Sequence, residues 1–75
     1  MESVNELVGA ARVRDMCRSG AARSIRTGAQ VTLAEMAELC GVTKVAVLRW
    51  ERAERVPRGE NAIRYLAALE GLMSR

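Results

Sequence analysis

The segment TLAEMAELCGVTKVAVLRW, residues 32–50, leaves little freedom for how this chain can fold. Thr32 followed three residues later by Glu35 has the spacing of a capping box, in which a hydroxyl and a carboxylate satisfy backbone N–H groups at a helix start. The box predicts a helix that begins at Leu33 and runs through Met36, Ala37, Leu39 and Cys40. Gly41 stops it, because glycine takes the left-handed conformation that closes a helix. Only Val42 and Thr43 precede the next apolar rhythm, and Thr43 is itself a good N-cap. Two short helices therefore meet across a tight turn.

In the second of these helices, over residues 44–52, Val47 and Trp50 lie three apart on one face. Lys44, Val45, Leu48, Arg49 and Arg52 follow one another at three and four on the opposite face. The helix is thus apolar on two sides. Val47 and Trp50 are expected in the core, whereas Val45 and Leu48, interleaved with three cations, are expected to face a partner. Ala37 is small where the two helices cross, and a larger side chain there would push the second helix away. Ala37, Gly41, Val47 and Trp50 together have the spacing of a helix-turn-helix.

Charge points the same way. The net charge of +3 is concentrated in residues 43–58, where Lys44, Arg49, Arg52, Arg55 and Arg58 stand against Glu51 and Glu54, and the rest of the chain is neutral. Such a concentration is an electrostatic footprint for a polyanion. Seventy-five residues make one domain. With no Phe, one Trp and one Tyr, its core is built from aliphatic side chains, which favours packed helices and an all-α fold. Cys17 and Cys40 lack zinc-site spacing and there is no His, so no metal and no cofactor are expected, and the thiols are expected to be free in a reducing cytoplasm. No apolar run approaches the roughly 20 residues of a membrane span. Without His, a paired carboxylate site or an activated Cys, no enzyme activity and no small-molecule ligand are expected.

The remaining chain divides simply. Residues 2–18 form a helical pattern with two stripes, Val4, Leu7, Val8 and Ala11 on one side and Val13, Met16 and Cys17 on the other. Either the two stripes serve two partners, the domain and a second copy of the chain, or the helix is loosely packed. Ser19 and Gly20 mark a break, and AARSIRTGA forms a short helix carrying Ala22 and Ile25 inward. Pro57 makes residues 54–59 a connection. The last helix, about 60–73, is expected to bury Ile63, Leu66, Ala67 and Leu69. This predicts an N-terminal helical extension over 1–19 and a helix-turn-helix domain over 20–75, with the motif at about 33–52.

The stretches SIRTGAQVTLAEMAELCGVTK, RWER and VPRGENAIRYLAAL, within residues 21–72, resemble the Cro/C1-repressor-like (Xre-type) helix-turn-helix domains. The resemblance implies a compact five-helix, lambda-repressor-like domain that binds double-stranded DNA, commonly as a homodimer on a palindromic site. Arg26 and Glu51 match family positions that form a structural ion pair. Thr43, Lys44, Val45 and Arg49 match positions of the recognition helix that touch DNA, with Leu48 beside them, and Arg55 and Arg58 fall in a loop that usually meets phosphates. Three features depart from the pattern: Leu33 stands where Gln is frequent, Ala53 stands where Gly is frequent, and Val45, Ala46 and Leu48 are more apolar than usual.

Physical chemistry agrees with those roles. Lys44 and Arg49 can reach the O6 and N7 acceptors of guanine, and Val45 and Leu48 can pack on thymine methyl groups. Arg52, Arg55 and Arg58 can hold phosphates, helped by the backbone N–H groups at Leu33 and Thr43. The expected function is a small sequence-specific DNA-binding regulator or accessory factor of a phage or mobile element, homodimeric on DNA, in the cytoplasm of a bacterial or phage-infected cell. The alternative is an adaptor that binds a protein partner, such as a toxin or polymerase subunit, through the Val45/Leu48 face.

Overall fold

The computed structural model describes residues 4–75, which form five helices: α1 (Val4–Ser19), α2 (Ala21–Gly28), α3 (Leu33–Cys40), α4 (Lys44–Glu51) and α5 (Gly59–Met73). No strand occurs among the described residues, and the fold is all-α. Glu2, the expected start of the first helix, lies outside the described residues. The last two helices shift slightly from their expected bounds, with Arg52 capping α4 and α5 beginning at Gly59.

One core joins all five helices. It gathers Val13, Met16 and Cys17 of α1, Ala22 of α2, Met36, Ala37 and Cys40 of α3, Val47 and Trp50 of α4, and Tyr65 and Leu69 of α5. Trp50 and Tyr65 meet with ring centroids 4.8 Å apart at a 47° tilt. A tilted aromatic pair of this kind contributes about 0.5–1.5 kcal/mol beyond the area it buries.

The two stripes of α1 separate cleanly. Val13, Met16 and Cys17 face the core, while Val4, Leu7 and Val8 are exposed and Ala11 is half-buried. The helix packs on α5, α2 and α4, so its C-terminal half is part of the core. Its N-terminal half lies over α5, where a Cβ at Gly9 would stand 3.3 Å from Leu66 Cδ2; the missing side chain permits that approach. Outside the core, Arg12 donates to Glu70 at 2.7 Å between these helices. Both groups are about half exposed, so solvent screening limits such a pair to about 0.2–1 kcal/mol.

The inward face of α5 differs from expectation. Ala62, Tyr65 and Leu69 are buried, Leu66 is half-buried, and Ile63 and Ala67 are exposed. Tyr65 must pack on Trp50, and this rolls the helix so that Ile63 moves to the rim beside α1. Leu39, on α3, is also exposed.

Three consecutive helices end by the same device. After α2, the Val31 N–H donates to the Arg26 carbonyl and Gln30 to Thr27; after α3, Val42 donates to Ala37 and Gly41 to Glu38; after α4, Glu54 donates to Arg49 and Ala53 to Trp50. Each pair is the six-to-one and five-to-two bonding of a Schellman motif, which requires a left-handed residue just past the helix. Those residues are Gln30 (φ 60°), Gly41 (φ 70°) and Ala53 (φ 59°). Only one of the three is glycine, the residue that adopts this conformation without steric penalty.

Candidate nucleic-acid interface

The candidate interface is built around α4. Thr43, in extended conformation, accepts a hydrogen bond from the Ala46 N–H at 3.1 Å and fixes where the helix begins. Its hydroxyl proton remains available to donate outward. Upstream, the Thr32 hydroxyl accepts from Glu35 N–H at 3.0 Å while the Glu35 carboxylate accepts from Thr32 N–H at 2.9 Å, which completes the capping box of α3. The Thr32 N–H, and after it the Thr32 hydroxyl, lower the Glu35 carboxyl from its ordinary value. Val47 is fully buried and Trp50 nearly so, and the helical repeat then turns Lys44, Val45 and Arg49 to solvent with Leu48 half-buried beside them.

The roll of α4 about its own axis is fixed by a buried ion pair. Arg26 Nε donates to Glu51 Oε2, Nη2 donates to Oε1 at 3.0 Å, and Nη1 donates to the Val31 carbonyl at 2.8 Å. One guanidinium thus ties α2, the turn after it and the end of α4 together. Side-chain exposure is 10% for Arg26 and 2% for Glu51, so neither charge has water to fall back on. The hydrogen bond to Glu51 pushes the Arg26 guanidinium above its ordinary value, against the opposing effect of burial. Removing one partner of such a pair costs about 3–5 kcal/mol.

On the outer surface α4 stands as a ridge between two recesses. Lys44, Val45 and Leu48 line one of them, together with Leu33 and Thr32 at the start of α3. Arg49 lines the other, together with Arg55 and Arg58 of the following connection; Glu54 is the carboxylate there. The expected base-contact residues are thus spread along one ridge, with expected phosphate-contact residues on both sides. Arg52 is exposed as the C-cap of α4 and lines neither recess. Leu33 packs its side chain partly against the core and partly along the recess of Lys44, Val45 and Leu48. Among the described residues, the ion pairs within 4.0 Å are Arg12–Glu70, Arg26–Glu51 and Arg64–Glu60, so Lys44, Arg49, Arg52, Arg55 and Arg58 are not neutralised by one.

Two features escape sequence reasoning. Arg55 also lines a smaller recess with Arg14 and Arg18 of α1, a neighbourhood made by tertiary packing with no local signal. Gln30, the second non-glycine in a left-handed conformation, carries no distinctive motif either. The thiols, by contrast, are as inaccessible as their apolar surroundings suggest. Burial pushes Cys17 up to about 11, with the charge of Glu51 adding to the shift and the Tyr65 hydroxyl opposing it, and burial likewise raises Cys40. A thiol kept protonated is a poor nucleophile. The Tyr65 hydroxyl is buried without a well-formed hydrogen bond. No helix among the described residues is long and apolar enough to cross a membrane, and no three potential metal ligands gather there.

Comparison with curated proteins and with solved structures gives no significant match. A helix-turn-helix family model matches residues 23–71, from α2 into the last turns of α5, and leaves α1 outside. That span is well over half of the chain and contains the capped α3, the Gly41 turn and the whole ridge of α4, so this protein belongs to the Cro/C1-type, Xre-like helix-turn-helix family of DNA-binding regulators.

Proposed function

We propose that the chain is a sequence-specific regulator that inserts α4 into the major groove of double-stranded DNA as a homodimer. Lys44 and Arg49 read guanine O6 and N7, and Val45 and Leu48 pack on thymine methyl groups. Thr43, the backbone end of Leu33, Arg52, Arg55 and Arg58 hold phosphates and set the register. The observation that carries this reading is the ridge itself: exposed α4 side chains between two recesses, with a helix start on one side and a basic loop on the other. A major groove about 12 Å wide admits one helix and has a phosphate strand along each edge. The ridge and its flanks have that three-part arrangement.

Selection of bound sequences from random duplex DNA, with oligomeric state measured on the product, tests the reading. The expected result is a symmetric consensus whose half-sites lie about 34 Å apart. Three phosphate-binding arginines per protomer give a slope of log affinity against log salt of about −5 for a dimer, at about 0.9 for each phosphate. Recovery of no consensus, with a shallow salt slope, would contradict it.

One observation favours a second reading. Val45 is 53% exposed, and with Leu48, Leu33 and Ala34 it forms a mostly apolar recess. An adaptor would seat a protein partner there, and replacing Lys44 and Arg49 by Ala would leave that binding mostly intact.

A further inference from the structure

Arg14 and Arg18 are four residues apart on α1, which places them on one face of that helix. Tertiary packing carries this face to the loop that follows α4. There Arg14 and Arg18 join Arg55 around a recess of about 80 Å³, whose remaining lining is Cys17, Ala53 and Val56. That volume is roughly two to three times the ~30 Å³ that one water occupies in the liquid. It has room for phosphodiester oxygens.

The recess is electropositive without internal compensation. None of its lining residues is a carboxylate, and its one other titratable group, the Cys17 thiol, is kept protonated by burial. Arg14, Arg18 and Arg55 belong to none of the ion pairs among the described residues, and the neighbouring Arg12 is already engaged by Glu70. Asp15 is turned about 100° from Arg14 by the helical repeat; it lies three residues from Arg18 but forms no ion pair with it. The Arg55 N–H bonds to the Arg49 carbonyl at 3.3 Å, which anchors this corner to the end of α4. Arg55 also lines the recess of Arg49 and Arg58, so it links the basic groups of α4 and the loop to those of α1, with Glu54 the carboxylate between them.

We propose that Arg14 and Arg18, with Arg55, form a phosphate-binding site through which α1 grips the duplex backbone next to the span held by the helix-turn-helix. The inference rests on the DNA-binding reading and adds to it a segment outside the matched family region. Such a site adds affinity and footprint, and it reads no bases.

The test titrates a fluorescent duplex carrying the selected sequence, and a scrambled duplex of the same length, across a salt series. It compares the unaltered protein, Arg14→Gln/Arg18→Gln and Arg14→Lys/Arg18→Lys. For the Gln variant the expected slope of log affinity against log salt is shallower by about 0.9 for each phosphate lost per protomer. Affinity at physiological salt falls roughly fivefold for each such contact, equally on both duplexes, which follows from the same slope. The Lys variant keeps the slope, and all three proteins melt at the same temperature because both arginines are exposed. An unchanged slope and affinity in the Gln variant would overturn the site while leaving the α4 interface standing. A loss that Lys does not restore, or a drop in melting temperature that accounts for it, would make the arginines structural and overturn it equally. Failure of the unaltered protein to bind either duplex would remove the DNA-binding reading and this inference with it.

Discussion

Replacing Ala53 by Gly should stabilise the protein, the reverse of what an alanine-to-glycine change ordinarily does. Ala53 sits at φ 59°, held there by its own N–H on the Trp50 carbonyl and the Glu54 N–H on the Arg49 carbonyl. A side chain in this conformation costs about 1–2 kcal/mol. Glycine removes that strain, and its greater freedom in the unfolded chain takes back about 0.4–1 kcal/mol. Ala53 is exposed, so deleting its methyl group forfeits little packing. The net gain is about 0.5–1 kcal/mol, which in a domain of this size raises the melting temperature by about 2–8 °C. Urea denaturation should show a higher midpoint with an unchanged slope. Gly41→Ala is the matching control: at φ 70° it introduces the same strain, the stiffer unfolded chain returns about 0.4–1 kcal/mol, and the Arg64 Nη1 that its Cβ would approach to 3.3 Å can move aside, so it should lose about 0.5–1 kcal/mol. An Ala53→Gly protein that melts below the unaltered one would refute the reasoning, because no other consequence of the change favours the folded state.

Other perturbations have equally definite signs. Glu51→Gln leaves the Arg26 guanidinium buried beside a neutral group and should cost about 3–5 kcal/mol in urea denaturation, a large part of the roughly 4–11 kcal/mol available to 75 residues. Arg26→Met combined with Glu51→Leu should recover most of that loss. Tyr65→Phe removes a buried hydroxyl that has no well-formed hydrogen bond and keeps the ring against Trp50, so its thermal stability should be unchanged or higher by up to about 1 kcal/mol. Because the Cys17 thiol is raised to about 11 in the folded protein, the unfolded chain releases its proton first. Stability from this group is complete below the ordinary thiol value and is lost as pH rises toward 11; Cys17→Ala should flatten that alkaline decline, leaving the parts due to Cys40 and Tyr65, whose thiol and hydroxyl burial also raises.

Much of the fold was legible because its signals are local. Thr32 with Glu35, Gly41 and Thr43 each solve a backbone hydrogen-bonding problem within four residues, so their consequences follow without knowledge of the rest of the chain. Val47 and Trp50 could be placed inside because the cations of the same helix cannot be. The inward face of α5 was harder. Ile63, Leu66 and Ala67 make as good a stripe as Ala62, Tyr65 and Leu69, and the choice between them is made by Trp50 on another helix. The position of Arg14 and Arg18 beside Arg55 is of the same kind, since some forty residues of chain separate charges that packing brings around one recess. The consequence of Ala53 for stability likewise depends on its φ, which composition alone does not reveal.

The central claim is that the outward face of α4 meets duplex DNA. The most direct measurement is the affinity of Lys44→Ala/Arg49→Ala for the sequence selected by the unaltered protein, taken with its melting temperature. Both side chains are exposed, so melting should be unchanged while discrimination between the selected and scrambled duplex disappears, with about 1–3 kcal/mol lost for each base pair no longer read. Undiminished preference for the selected duplex in the folded double variant would contradict it.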